Sequence, residues 1–167
     1  KFVASRSRKS IIQELESISR LPDFDKHITD LGGPSANMYM MQGKNSDVCK
    51  KCNRASCIFP AKCSNLNDDH MPLVDLYAAA RKIDGIKHVT IGSGIRLDLL
   101  QQAPGEHRYM KDLIQHHISG RLKVAPEHTE LSVLKSMRKP DFNSFLKFKK
   151  DFEKYNNQAG KRQQLIP

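Results

Sequence analysis

Outside one fifteen-residue stretch the sequence has no cysteine, so whatever its four thiols do, they do in one place. No run approaches the roughly eighteen apolar residues of a membrane span, and no charged-then-apolar leader opens the chain. The expectation is therefore a cytoplasmic protein, not bound to membrane, whose thiols stay reduced. Neither a GxSxG nucleophile elbow nor an HExxH metal motif is present. A conventional hydrolase using His70 or His128 with Asp68, Asp69 or Glu127 is left without support. His70, in a polar loop after Asp68-Asp69, is expected to be solvated.

What is present is the cluster Cys49-x2-Cys52-x4-Cys57-x5-Cys63. Thiolates are soft ligands that must release a proton, and four on one short loop suit tetrahedral zinc or an iron–sulfur cluster. Lys50, Lys51, Arg54 and Lys62, interspersed among them, would help to stabilise thiolates and offset the charge of an assembled site. Two disulfides or four free thiols are the alternatives that the spacing leaves open. Only Cys49 and Cys52 have CxxC spacing, so the pattern points to a metal without naming it.

A net charge of +10 and a pI near 9.6 favour an anionic partner. The basic residues are dispersed, however. Lys147, Lys149, Lys150 and Lys154 share one expected helix with Asp151 and Glu153, which reads as a solvated face. Nucleic acid is a possible partner that this pattern does not favour, and binding to it is expected to be weak and salt-sensitive.

Periodicity predicts an amphipathic helix over Ser5–Ser19, carried by Ile11, Ile12, Leu15 and Ile18, and a strand over His27–Leu31 that ends at Gly32-Gly33-Pro34. Residues 40–71 are polar, basic and cysteine-rich, an insertion-like loop to which a metal would give a reason to fold. Then follow a helix from Pro72, a strand His88–Ile91, a helix Tyr109–Ile118, a strand Arg121–Ala125, a helix capped by Thr129 and a helix Phe142–Asn157. A strand begins near Gln163. Alternation of this kind means parallel βαβ crossovers, hence an α/β barrel or an open doubly wound sheet in one domain spanning 1–167. At 167 residues the chain falls short of the about 250 of a closed eight-fold barrel, and both ends read as cut, so a section of such a fold is expected.

Chemistry in these architectures collects at the carboxyl ends of strands. Here those ends carry Asp30, Gly32 and Gly33, then Gly92 to Asp98 with Arg96, then Lys123 and Glu127. Glycine backbone can take an ammonium or hydroxyl, arginine a carboxylate, and a glutamate the hydroxyls of a ribose.

The runs DLGGPSANMY, CNRASCIFPAKCSNLNDDH, GSGIRLDLL, LKVAPEHT and VLKSMRKP resemble the YgiQ-type radical SAM proteins. FVASRSRKSII is similar to the stretch that follows, in that family, the CxxxCxxC triad holding a 4Fe-4S cluster. The resemblance spans nearly the whole chain. It implies a partial (β/α)6 TIM-type barrel and reductive cleavage of S-adenosylmethionine to a deoxyadenosyl radical, with an electron donor for the parent enzyme and an unknown substrate. Gly32 and Gly33 match the family's glycine motif that contacts the methionyl ammonium. Pro34 stands where many relatives have an acid, so Asp30 or backbone carbonyls would serve instead. Arg96, Lys123 and Glu127 fall on later strand ends that commonly hold the cofactor's carboxylate and ribose. Cys52, Cys57 and Cys63 match a second cysteine set, Cys49 less regularly, as ligands of zinc or an auxiliary iron–sulfur cluster. No CxxxCxxC is present here, so the catalytic cluster's ligands would lie upstream and this chain would be inactive alone. The alternative is a zinc-stabilised α/β module that contacts RNA or protein.

Overall fold

A computed structural model describes residues 4–32 and 35–167. Helix α1 (Arg8–Ile18) starts where the Ser7 hydroxyl accepts the Ser10 N–H at 3.2 Å, and it buries Ile11 and Leu15. Strand β1 (His27–Thr29) pairs in parallel with β4 (His88–Thr90), Ile28 opposite Val89. Between them comes the cysteine-rich insertion, closed at its base by a two-residue antiparallel pair, β2 (Gln42–Gly43) with β3 (Leu66–Asn67). A short helix α2 (Ser46–Lys50) lies inside it, capped by the Asn45 side chain. Helix α3 (Met71–Ala80) follows with Pro72 in its first turn, where a missing N–H costs nothing.

Beyond β4 come α4 (Leu97–Leu100), α5 (Glu106–Asp112) and a π-helical turn, Leu113–His117. Strand β5 (Arg121–Lys123) pairs in parallel with β6 (Gln164–Ile166), joined through α6 (Leu131–Ser136) and α7 (Phe142–Gln158). Asp141 caps α7, and Phe145, Phe148 and Phe152 form its buried stripe at the spacing of one helix face. These rings join Leu73, Leu76, Tyr77, Tyr109, Leu113 and Leu122 in a single core.

The alternating α/β order and the parallel crossovers are as expected. A closed barrel is not formed among the described residues: there are three two-stranded sheets. Single hydrogen bonds, Ile91 N–H to the His117 carbonyl (2.9 Å) and Ile95 N–H to the Lys123 carbonyl (3.3 Å), tie the β4 segment to the approach and end of β5. Two expectations need correction. Thr129 does not cap α6; Glu130 stands at that position with no side-chain bond, and its own N–H is donated to His128 Nδ1 at 2.9 Å. The helix foreseen over Tyr109–Ile118 instead begins at Glu106 and widens into a π-turn. That turn brings His117 inward, where Nδ1 donates to the Val89 carbonyl at 2.6 Å and Nε2 meets Arg81 and Asp112.

Candidate functional site

The ends of β1, β4 and β5 lie side by side, and backbone bonding holds them so. Asp30 has a left-handed φ of 54°, which turns its carboxylate across to the next strand end; Oδ1 accepts the N–H groups of Gly92 (3.1 Å) and Ser93 (2.8 Å). Burial raises the Asp30 pKa, but bonds from Ser93 and Gly92 and the charge of Lys123 outweigh it, leaving the carboxyl below its ordinary value. Asp30 is thus already committed to fixing the loop after β4. Gly32 has φ +117°, and a Cβ there would meet Leu73 Cδ1 at 3.0 Å and Tyr39 Cβ at 3.3 Å, so both conformation and packing require glycine. Gly33 and Pro34 lie outside the described residues.

Arg96 and Glu127 are brought together on one cavity of 290 Å³, with Gly94, Asp98, Pro126 and Lys139 among its lining. Both already have partners. Arg96 makes a two-pronged pair with Asp98 (Nε to Oδ1 3.1 Å, a terminal nitrogen to Oδ2 2.6 Å), and Glu127 takes Lys139 Nζ at 2.6 Å. A ligand here binds by exchanging these partners. Lys123 contributes its carbonyl to Ile95 and its charge to Asp30, and is not among the residues lining this cavity.

The device behind Arg96 was missed in the sequence. Asn37, fully buried, bonds both sides of that residue's backbone: Oδ1 accepts the Arg96 N–H at 2.8 Å and Nδ2 donates to the Arg96 carbonyl at 3.0 Å. Nδ2 also stands 3.3 Å from His70 Nε2. A lone asparagine between Ala36 and Met38 was the available signal, since a polar side chain inside an apolar run must find partners. His70 corrects the expectation of a solvated loop histidine. It is 0% exposed at the start of α3, with its ring 4.9 Å from that of Tyr109, and burial lowers its pKa to about 4. Asp68 and Asp69 oppose that shift weakly, and Lys62 adds to it.

The second cavity, of 270 Å³, belongs to the insertion, and Cys49, Cys57 and Cys63 all line it with Met38, Leu66 and Leu99. Arg96 lines this cavity as well as the first. The Asn65 amide donates to Cys49 Sγ at 3.2 Å, and a Cβ at Gly43 would collide with that sulfur. The Cys63 N–H bonds the Cys57 carbonyl at 2.8 Å, and the Cys52 N–H the Cys49 carbonyl at 3.2 Å. All four cysteines are partly buried. Soft donors on one wall, with a glycine clearing space for one sulfur, fit a thiolate-bound metal. Among the described residues no three His, Cys, Asp or Glu side chains are gathered closely enough to hold one as they stand. Of the interspersed cations, Lys62 is held by Asp68 Oδ2 (2.6 Å) and the Gln101 carbonyl (2.6 Å), and Lys50 by Asp47 (2.9 Å).

Parallel βα units, a strand-end rim and a cysteine-rich insertion that shares an arginine with that rim define the class. Over its whole length the chain is 53% identical to a UPF0313 protein of Bacteroides thetaiotaomicron and 49% identical to a UPF0313 protein of Porphyromonas gingivalis, covering 28% and 27% of them. To a UPF0313 protein of Chromobacterium violaceum it is 47% identical, covering 22%. The chain thus spans about a quarter of the length of the curated relatives it matches. No family model matches it, and no solved structure does. No helix among the described residues is long and apolar enough to cross a membrane.

Proposed function

We propose that this chain is a segment of a radical SAM enzyme: a portion of a partial (β/α)6 barrel that helps to hold S-adenosylmethionine at its strand-end rim. The observation that supports this reading most is Arg96 and Glu127 on one cavity beside three adjoining strand ends, with Asp30 bracing the loop between them. A 4Fe-4S cluster, on ligands outside this chain, supplies the electron for cleaving the cofactor. The residues here bind and orient. The guanidinium of Arg96 exchanges Asp98 for the cofactor's carboxylate, and the Glu127 carboxylate, released from Lys139, accepts from ribose hydroxyls. Asn37 keeps the Arg96 backbone fixed during that exchange. Cys49, Cys57 and Cys63, with Cys52, hold zinc or an auxiliary iron–sulfur cluster near the same arginine.

The zinc-stabilised binding module remains a second reading, favoured by the cysteine-lined cavity alone, and it involves no S-adenosylmethionine. Titration calorimetry with S-adenosylmethionine separates the two. Arg96→Ala is expected to weaken binding roughly tenfold, about 1.4 kcal/mol, with Lys147→Ala unchanged. A protein that binds no S-adenosylmethionine, or an Arg96→Ala variant that binds it as well as the parent, contradicts the rim assignment.

A further inference from the structure

A larger groove of 790 Å³, lined by residues of the insertion and α6, shares Asp98, Lys139, Pro140, Asp141 and Ser144 with the rim cavity. One wall is Phe59 and Pro60 of the cysteine-rich loop; the other carries Leu131, Lys135 and Arg138. Its volume is that of a small-molecule site rather than a macromolecular face.

The charges on its walls are uneven once internal pairs are set aside. Lys62 is paired with Asp68, Lys139 with Glu127, and Asp98 with Arg96. Asp141 is turned to the Ser144 N–H as the cap of α7. Lys135 and Arg138 remain, both exposed, both on the groove, and in none of the ion pairs among the described residues. Arg138 is also held at a left-handed φ of 56°, in the turn that ends α6. Leu131, 50% exposed, supplies an apolar surface to the groove that Phe59 also lines.

We propose that this groove is the binding site for a small anionic substrate: an oxyanion group, phosphate or carboxylate, on Lys135 and Arg138, with an apolar portion between Leu131 and Phe59-Pro60. From there the substrate's remote end reaches the rim cavity. Its being a substrate rests on the radical SAM reading; the anion site itself does not.

The test is calorimetric titration of the protein with inorganic pyrophosphate and, separately, with succinate, both without S-adenosylmethionine. A Lys135→Glu/Arg138→Glu double variant is compared with a charge-matched control on the exposed face of α7, Lys147→Glu/Lys150→Glu. The groove variant is expected to lose roughly tenfold or more in affinity, and the control less than about twofold. The preferred anion tells a phosphate from a carboxylate. Equal weakening by both variants, with unchanged thermal midpoints, would show a diffuse basic surface and overturn the proposal, as would a parent that binds neither anion. Pyrophosphate held in the groove by a protein that ignores S-adenosylmethionine would leave the anion site standing and remove the radical reading alone.

Discussion

His70 stays neutral because burial removes the solvation that an imidazolium needs, and its neighbours cannot replace it. With the folded-state pKa lowered from 6.5 to about 4, the unfolded chain takes up a proton in that interval and the native protein does not. The contribution is therefore fully present above pH 6.5 and is lost progressively as pH falls towards 4. Its size is about 3 kcal/mol. His116 is lowered too, by partial burial and by Arg81, and so acts in the same direction on an exposed site where solvent screens it. Asp112 works in the same direction, in a lower window. Burial raises it, but His117 and Arg81 outweigh that and hold it at about 2, so its share is lost only below pH 3.8. Urea unfolding midpoints at pH 7 and pH 4.5 should differ in the parent and much less in His70→Leu; equal pH sensitivity in the two would place the buried proton-binding group elsewhere.

Among the elements, the insertion depends most on a single packing detail. Gly43 in β2 faces Cys49 from α2, and any side chain there must displace the sulfur or open the β2–β3 pair. Gly43→Val is accordingly expected to lose bound metal and to become sensitive to protease between residues 44 and 65. Elemental analysis of anaerobically purified protein should find about one zinc, or iron with sulfide, per chain in the parent and a small fraction of that in the variant. Metal kept by Gly43→Val, or absent from both, would contradict the cysteine assignment. The main helices and strands were legible in the sequence because their signals are local: the Ile11/Leu15 stripe, Pro72 at a first turn, the Phe145/Phe148/Phe152 spacing. Inside the insertion, α2 and the β2–β3 clamp were not. Two-residue strands have no periodicity, and Asn45 reads as loop until its cap is seen. The π-turn was equally hidden, since His117 is drawn inward by Val89, Arg81 and Asp112, all distant in sequence except the last.

On the scale of the molecule, the sequence indicated which strand ends would meet but not how they are held. Arg96, Glu127 and Asp30 were legible as polar residues just past apolar runs; Lys123 was too, and it is not among the residues lining the rim cavity. The Asn37–His70 bracing was invisible, because it joins three segments through one buried amide. A portion of a barrel was expected, and the described strands form two parallel pairs linked by single bonds and one antiparallel pair in the insertion, with their catalytic partner segment, in the proposed reading, contributed by other parts of a longer protein. The most direct measurement is deoxyadenosine release from S-adenosylmethionine under strong reductant. It compares this chain with a longer protein containing it and an upstream CxxxCxxC triad with its cluster loaded. The account predicts deoxyadenosine from the longer protein, none from the 167-residue chain, and a marked loss on Arg96→Ala in the longer one. A cluster-loaded longer protein that makes no deoxyadenosine would contradict it.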